Sequence, residues 1–155
     1  MIMDERTEFA DAASVAAAAG TALIGDQIPL SIARDVGNGQ PVYLVLTCST
    51  SIITGGVAGT IKFQLVSDAT AAIAVDGSAT VHYDTGTFVT DDDALNDLDA
   101  GDVIACVALP LEGNAYEEYL GILAIVGTTT VTAGAINAFL TLDPKGWKAY
   151  AEGAN

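Results

Sequence analysis

Histidine occurs once in the 155 residues, at His82, and tryptophan once, at Trp147; cysteine occurs twice, at Cys48 and Cys106. One histidine and two distant cysteines complete no zinc site at any familiar spacing, and neither cysteine has a CxxC partner. Both cysteines sit in apolar strand-like runs (VYLVLTCST and DVIACVALP), where lone cysteines serve as small buried hydrophobes and not as disulfide halves. Cations are also few: 5 Lys plus Arg against 20 Asp plus Glu, for a net charge of −15. So negative a surface repels phosphate backbones and anionic lipid, which argues against nucleic-acid and membrane partners. Charged residues total 16%, below the usual ~25%, so the composition is not that of a disordered chain. A basic leader is lacking too. MIMDERTEF is acidic and AASVAAAAG only weakly apolar, so secretion through a signal peptide is not expected. One uncharged stretch, Tyr119 to Leu142, is long enough to cross a bilayer. It is broken by a Gly-Thr-Thr-Thr block, and Ile136, Ala138, Leu140 and Leu142 then alternate. Two strands and a turn are the expectation there.

What is abundant is small and aliphatic: 38 Ile, Leu and Val, and 27 Ala. A chain of this length buries roughly 68% of its extended surface as one domain. Residues 1–20 form a distinct zone, charged and then alanine-rich, read as an N-terminal arm or short helix; residues 21–155 form the domain, C-terminal tail included. Strand signals follow at nearly regular spacing. PLSIAR alternates, VGNGQP is a turn, PVYLVLTCS is a buried run and TSIITGGVAG another turn region. TIKFQLVS sets Ile61, Phe63 and Leu65 against Lys62 and Gln64. AAIAVDG and ATVHY read as a pair joined at Asp76-Gly77, followed by DVIACVALP, YLGILAIVG and AINAFLTL. About eight short strands without an amphipathic helix indicate an all-β fold. A jelly-roll β-sandwich is favoured, with an up-and-down barrel as the alternative.

Chemistry-bearing constellations are weak. Six carboxylates fall between Asp91 and Asp102, but without the glycine and terminal glutamate of an EF-hand loop, so they read as a solvated connection. His82, in ATVHYD, alternates along a strand and reads as a surface or partly buried side chain. Glu117 and Glu118 are neighbours and point to opposite faces of any strand, so they form no acid/base pair. DVGNGQP has the glycines of a phosphate loop without its Lys-Ser/Thr or helix. No catalytic residue, metal site or cofactor is expected. Trp147, Tyr150, Phe9, Tyr116 and Tyr119 lie at chain ends or turn borders, where aromatics either anchor partners or close the ends of a sandwich.

Five stretches carry a resemblance: DERTEFADA (4–12), ARDVGNGQPVYLV (33–45), FQLVSDATAAIAVDG (63–77), LPLEGNAYEEYLGIL (109–123) and INAFLTLDPKGWKAYA (136–151). Together they resemble the capsid cement, or head decoration, proteins of Bordetella-type tailed bacteriophages. The resemblance implies a structural protein, not an enzyme, on the outer surface of the virion. It would clamp neighbouring major capsid subunits and would be assembled in the host cytoplasm. The implied partners are the major capsid protein and the chain itself, as a homodimer or alternatively a trimer. On this reading the interface candidates are Asp4, Glu5, Arg6 and Phe9 in the arm, Arg34 and Asp35 before the glycine turn, and Lys145, Trp147, Lys148 and Tyr150 in the tail. A carbohydrate- or host-surface-binding jelly roll is the rival, since fold does not settle function. A cupin-type enzyme needs a histidine cluster that this chain lacks.

Overall fold

The computed structural model describes residues 5–33, 36–37, 39–54, 59–90 and 97–144. Their regular structure is a 3-10 turn, Glu5–Thr7, and nine strands: β1 Glu8–Ser14, β2 Gly20–Pro29, β3 Tyr43–Thr54, β4 Thr60–Asp68, β5 Thr80–Asp84, β6 Phe88–Val89, β7 Val103–Ala108, β8 Tyr119–Gly127 and β9 Val131–Thr141. The strands make two antiparallel sheets, ordered β1-β9-β3-β7 and β2-β8-β4-β5, with β6 on β4. Successive strands from β1 to β4 change sheet each time, as do β8 and β9. That order is not the neighbour-to-neighbour path of an up-and-down barrel.

Period-2 alternation turns one face of each sheet inward. On β4, Ile61, Phe63 and Leu65 are fully buried while Lys62 and Gln64 are half-exposed, as the sequence pattern requires. They share one cluster with Leu44, Leu46 and Cys48 of β3, Ile136 and Ala138 of β9, and Leu120 and Ile122 of β8. Each large aliphatic side chain buried there stabilises the fold by roughly 1.5–3 kcal/mol. The uncharged stretch from Tyr119 resolves into β8 and β9, two strands and a turn.

The outward face of the second sheet is roofed by the β4–β5 connection, residues 69–79. Ile73 from this connection packs on Val66 and Leu123. Gly121 lies beneath it, where a Cβ would collide with the Ile73 side chain. Asp68 holds the roof in place, its carboxylate accepting from the backbone N–H of Thr70 (3.0 Å) and of Ala74 (2.9 Å).

Several sequence expectations are corrected. Residues 8–14 are not a helix; they are an edge strand paired with β9, and among the described residues only Glu5–Thr7 is helical. The second strand is GTALIGDQIP and ends at Pro29, so PLSIAR falls mostly beyond it. SIIT continues β3 and is not a turn. AAIAV is the roof, not a strand, so Asp76-Gly77 lies in an eleven-residue connection and not in a tight hairpin. Cys48 is buried but Cys106 is exposed: it faces Val45 from the outward side of β7, an edge strand. Both thiols are free.

Candidate functional site

β1 is an end strand of the first sheet and β2 an end strand of the second. Both depart from regular pairing where they approach each other. Along β1 the register slips between Glu8 and Ala10 and again between Ala10 and Ala13. In the second slip Ala12 takes φ 47° and donates its N–H to Asn137 Oδ1 at 2.7 Å. Along β2 the register jumps between Ile24 and Ile28, so Gly25, Asp26 and Gln27 bulge out of the ladder. Extra residues of this kind bend a strand and re-aim its side chains. Here they bring the Gly25 backbone against the Phe9 carbonyl, and Gly25 has φ +66°. Only glycine takes both the conformation and the contact without strain.

Beside this contact a groove of about 680 Å³ opens, lined by Arg6, Glu8, Phe9, Ala10, Asp11 and Ala13 from the β1 side and by Gly25, Asp26, Gln27, Ile28, Pro29 and Ser31 from the β2 side. Its apolar floor includes Phe9 and Ile28, 1% and 7% exposed. Asp11 and Asp26 are exposed and Glu8 is half-buried. Among the described residues, three carboxylates thus stand around the groove against one guanidinium. Through edge-strand backbone, small side chains and acidic rims, this arrangement can hold an extended segment of another chain.

Of the residues singled out from the sequence, Arg6 and Phe9 are both brought to this groove. Arg6 is exposed at its edge; Phe9 belongs to the core and contributes the floor, so it does not project as a free anchor. Glu5 lies in the 3-10 turn. Asp4, Arg34, Asp35, Lys145, Trp147, Lys148 and Tyr150 lie outside the described residues. The sequence reading missed Glu8, Asp11, Asp26 and Gln27. For Asp26 and Gln27 the signal was a glycine and two polar residues inside TALIGDQIP, which mimics the end of a strand.

A second cluster gathers at the edge strand β5. Ser67 Oγ, fully buried on β4, lies 2.7 Å from His82 Nε2 and accepts the Glu117 backbone N–H at 3.2 Å. Glu117 accepts from Thr80 Oγ1 at 2.6 Å. The His82 ring stacks on Tyr116 at 4.0 Å and 22°, and the Tyr116 hydroxyl donates to the Pro110 carbonyl at 2.8 Å. Burial holds the His82 imidazole below its ordinary pKa of 6.5, with the nearby Glu117 charge pulling the other way. A serine sealed at zero exposure meets no substrate. The cluster instead latches the β7–β8 connection onto β5, and Tyr116, 2% exposed, closes the sandwich.

The acidic stretch uses its carboxylates locally where it is described. Asp99 accepts from Ser51 Oγ at 3.1 Å, and Asp102 accepts the Asp99 backbone N–H at 2.9 Å. Residues 91–96 lie outside the described set. Among the described residues, no three His, Cys, Asp or Glu side chains stand together as metal ligands. Cys48 donates to the Thr50 carbonyl at 3.1 Å, and its thiol is pushed up to about 11 by burial, then by the charge of Asp102.

A protein-family model with the description Bbp16 matches residues 9–140, a span that takes in the groove from Phe9 to Ser31 and the eight strands from β2 almost to the end of β9. No curated protein matches the chain.

Proposed function

The chain belongs to the Bbp16 family, a name of the Bordetella-phage type consistent with a phage protein, and from that membership we propose that it is a capsid decoration protein. It binds the outer surface of the icosahedral head and clamps neighbouring major capsid subunits, acting by binding alone without a catalytic step. The family match over residues 9–140 is the observation that carries this reading. Strand order supports the matching architecture. With the two-residue β6 set aside and the other eight strands numbered in sequence, the sheets run 1-8-3-6 and 2-7-4-5. That order supports a double-sheet jelly roll, an architecture of capsid-associated and lectin domains alike. A net charge of −15 suits the outside of a head better than its DNA-lined interior.

The mechanism is thermodynamic. A clamp that touches two subunits binds only when they stand at the mature spacing, so its binding free energy is added to the stability of that lattice. As a homodimer it makes the second contact intramolecular, which raises avidity without new contacts. A carbohydrate-binding role calls for exposed aromatics beside a groove. Among the described residues, the only aromatic lining the β1/β2 groove is Phe9, which is buried.

Co-sedimentation of the purified protein with undecorated, expanded heads tests the proposal. Saturation at a fixed, simple ratio to major capsid subunits, with heads made more heat-resistant, is the expected result. No binding with or without calcium overturns it.

A further inference from the structure

We propose that the β1/β2 groove takes an extended, lysine- or arginine-bearing segment of the partner protein. That the partner is a capsid subunit rests on the decoration reading; the chemistry of the groove does not.

Three observations carry the inference. First, the groove runs between two end strands, each hydrogen-bonded to a sheet neighbour on one side only: β1 to β9 and β2 to β8. The other side of an end strand presents unpaired N–H and C=O groups, which an extended chain satisfies by strand addition. Because of its two register slips, β1 from Glu8 to Ala13 lies opposite only Phe139 to Ile136 of β9, so it spans roughly 10 Å, room for a partner strand of about three or four residues. Pro29 on the opposite wall has no N–H to donate, which limits pairing at that end.

Second, the side chains are of two kinds. Phe9, Ala10, Ala13 and Ile28 make a floor that accepts small apolar groups, while Glu8, Asp11 and Asp26 stand at the rims. A segment that docks here meets the floor with some side chains and the carboxylates with others. The occupant therefore carries both small apolar and basic residues.

Third, the whole chain carries −15. Its long-range field concentrates cationic segments and repels acidic ones.

The test uses purified full-length protein and two labelled nonapeptides, one alternating threonine with lysine, the other with glutamate in place of lysine. By fluorescence anisotropy, the lysine peptide binds saturably and the glutamate peptide does not. Asp11→Asn with Asp26→Asn, both exposed positions, weakens the lysine peptide about tenfold. Asp76→Asn with Glu112→Gln, which removes the same charge elsewhere, changes it less than about twofold. Equal binding of both peptides overturns the inference, as does binding unaffected by the groove substitutions. On heads, full binding by the groove variant with unchanged affinity ends the groove assignment while the decoration reading stands. Failure of the unaltered protein to bind heads, with the lysine peptide still held, ends the decoration reading alone. A homodimer that the groove substitutions dissociate, with no peptide bound, assigns the groove to a second copy and overturns the inference.

Discussion

Gly25 and His82 carry opposite kinds of constraint. Gly25 is held by geometry: φ is +66° and a Cβ would run into the Phe9 carbonyl, which is backbone and has little freedom to move. Gly25→Ala is therefore expected to cost at least about 2 kcal/mol, from the left-handed conformation plus displacement of β1. A fall in the urea midpoint with an unchanged slope is the check. The loss should widen the groove, so peptide binding weakens along with stability. His82 is held by solvation. Its folded pKa is depressed by burial, so below its ordinary value the unfolded chain binds a proton that the folded chain does not. Stability is then fully present above about pH 6.5 and declines as pH falls through that value. Urea titrations at pH 7.5 and 5.5 should show this loss, and His82→Gln should largely remove the difference between the two.

At the scale of elements, the informative unit is the roof over the second sheet. Its anchor is one carboxylate, Asp68, held below its usual pKa first by the Ala74 N–H and then by that of Thr70. Asp68→Ala removes both bonds. The Ala74 amide should exchange with solvent about tenfold faster while β4 amides near Phe63 keep their protection. Equal acceleration in both would mean that the roof and the sheet open together. The roof also shows what the sequence made legible. Strands β4, β5, β7, β8 and β9 stood out because their alternation or apolar runs match burial on one or two faces, and the all-β class followed. AAIAV read as a strand for the same reason, since burial of Ile73 under a turn and burial in a sheet leave the same letter. β1 was hidden by alanine, which is weakly apolar on either face, and β2 by the Gly25–Gln27 bulge that breaks its period. Those two strands build the groove, so the candidate site was the least legible part. Arg6 and Phe9 were named, though Phe9 is buried in the groove floor and does not project from it, whereas Asp11 and Asp26 needed the three-dimensional meeting of two bulges.

For the whole molecule, the two sheets with a shared core form a rigid support, and function depends on what the −15 surface meets. On the proposed decoration reading, a protein of this charge should bind its target through a salt-sensitive approach. Raising ionic strength from 50 to 300 mM should weaken association chiefly by slowing it, with a smaller effect on release. The most direct test is electron cryo-microscopy of undecorated phage heads before and after addition of the purified protein. The account predicts new two-sheet density on the outer surface, bridging adjacent major capsid subunits, with the β1/β2 edge turned toward the shell. Heads that gain no such density, or gain it only at the tail or inside the shell, would contradict it.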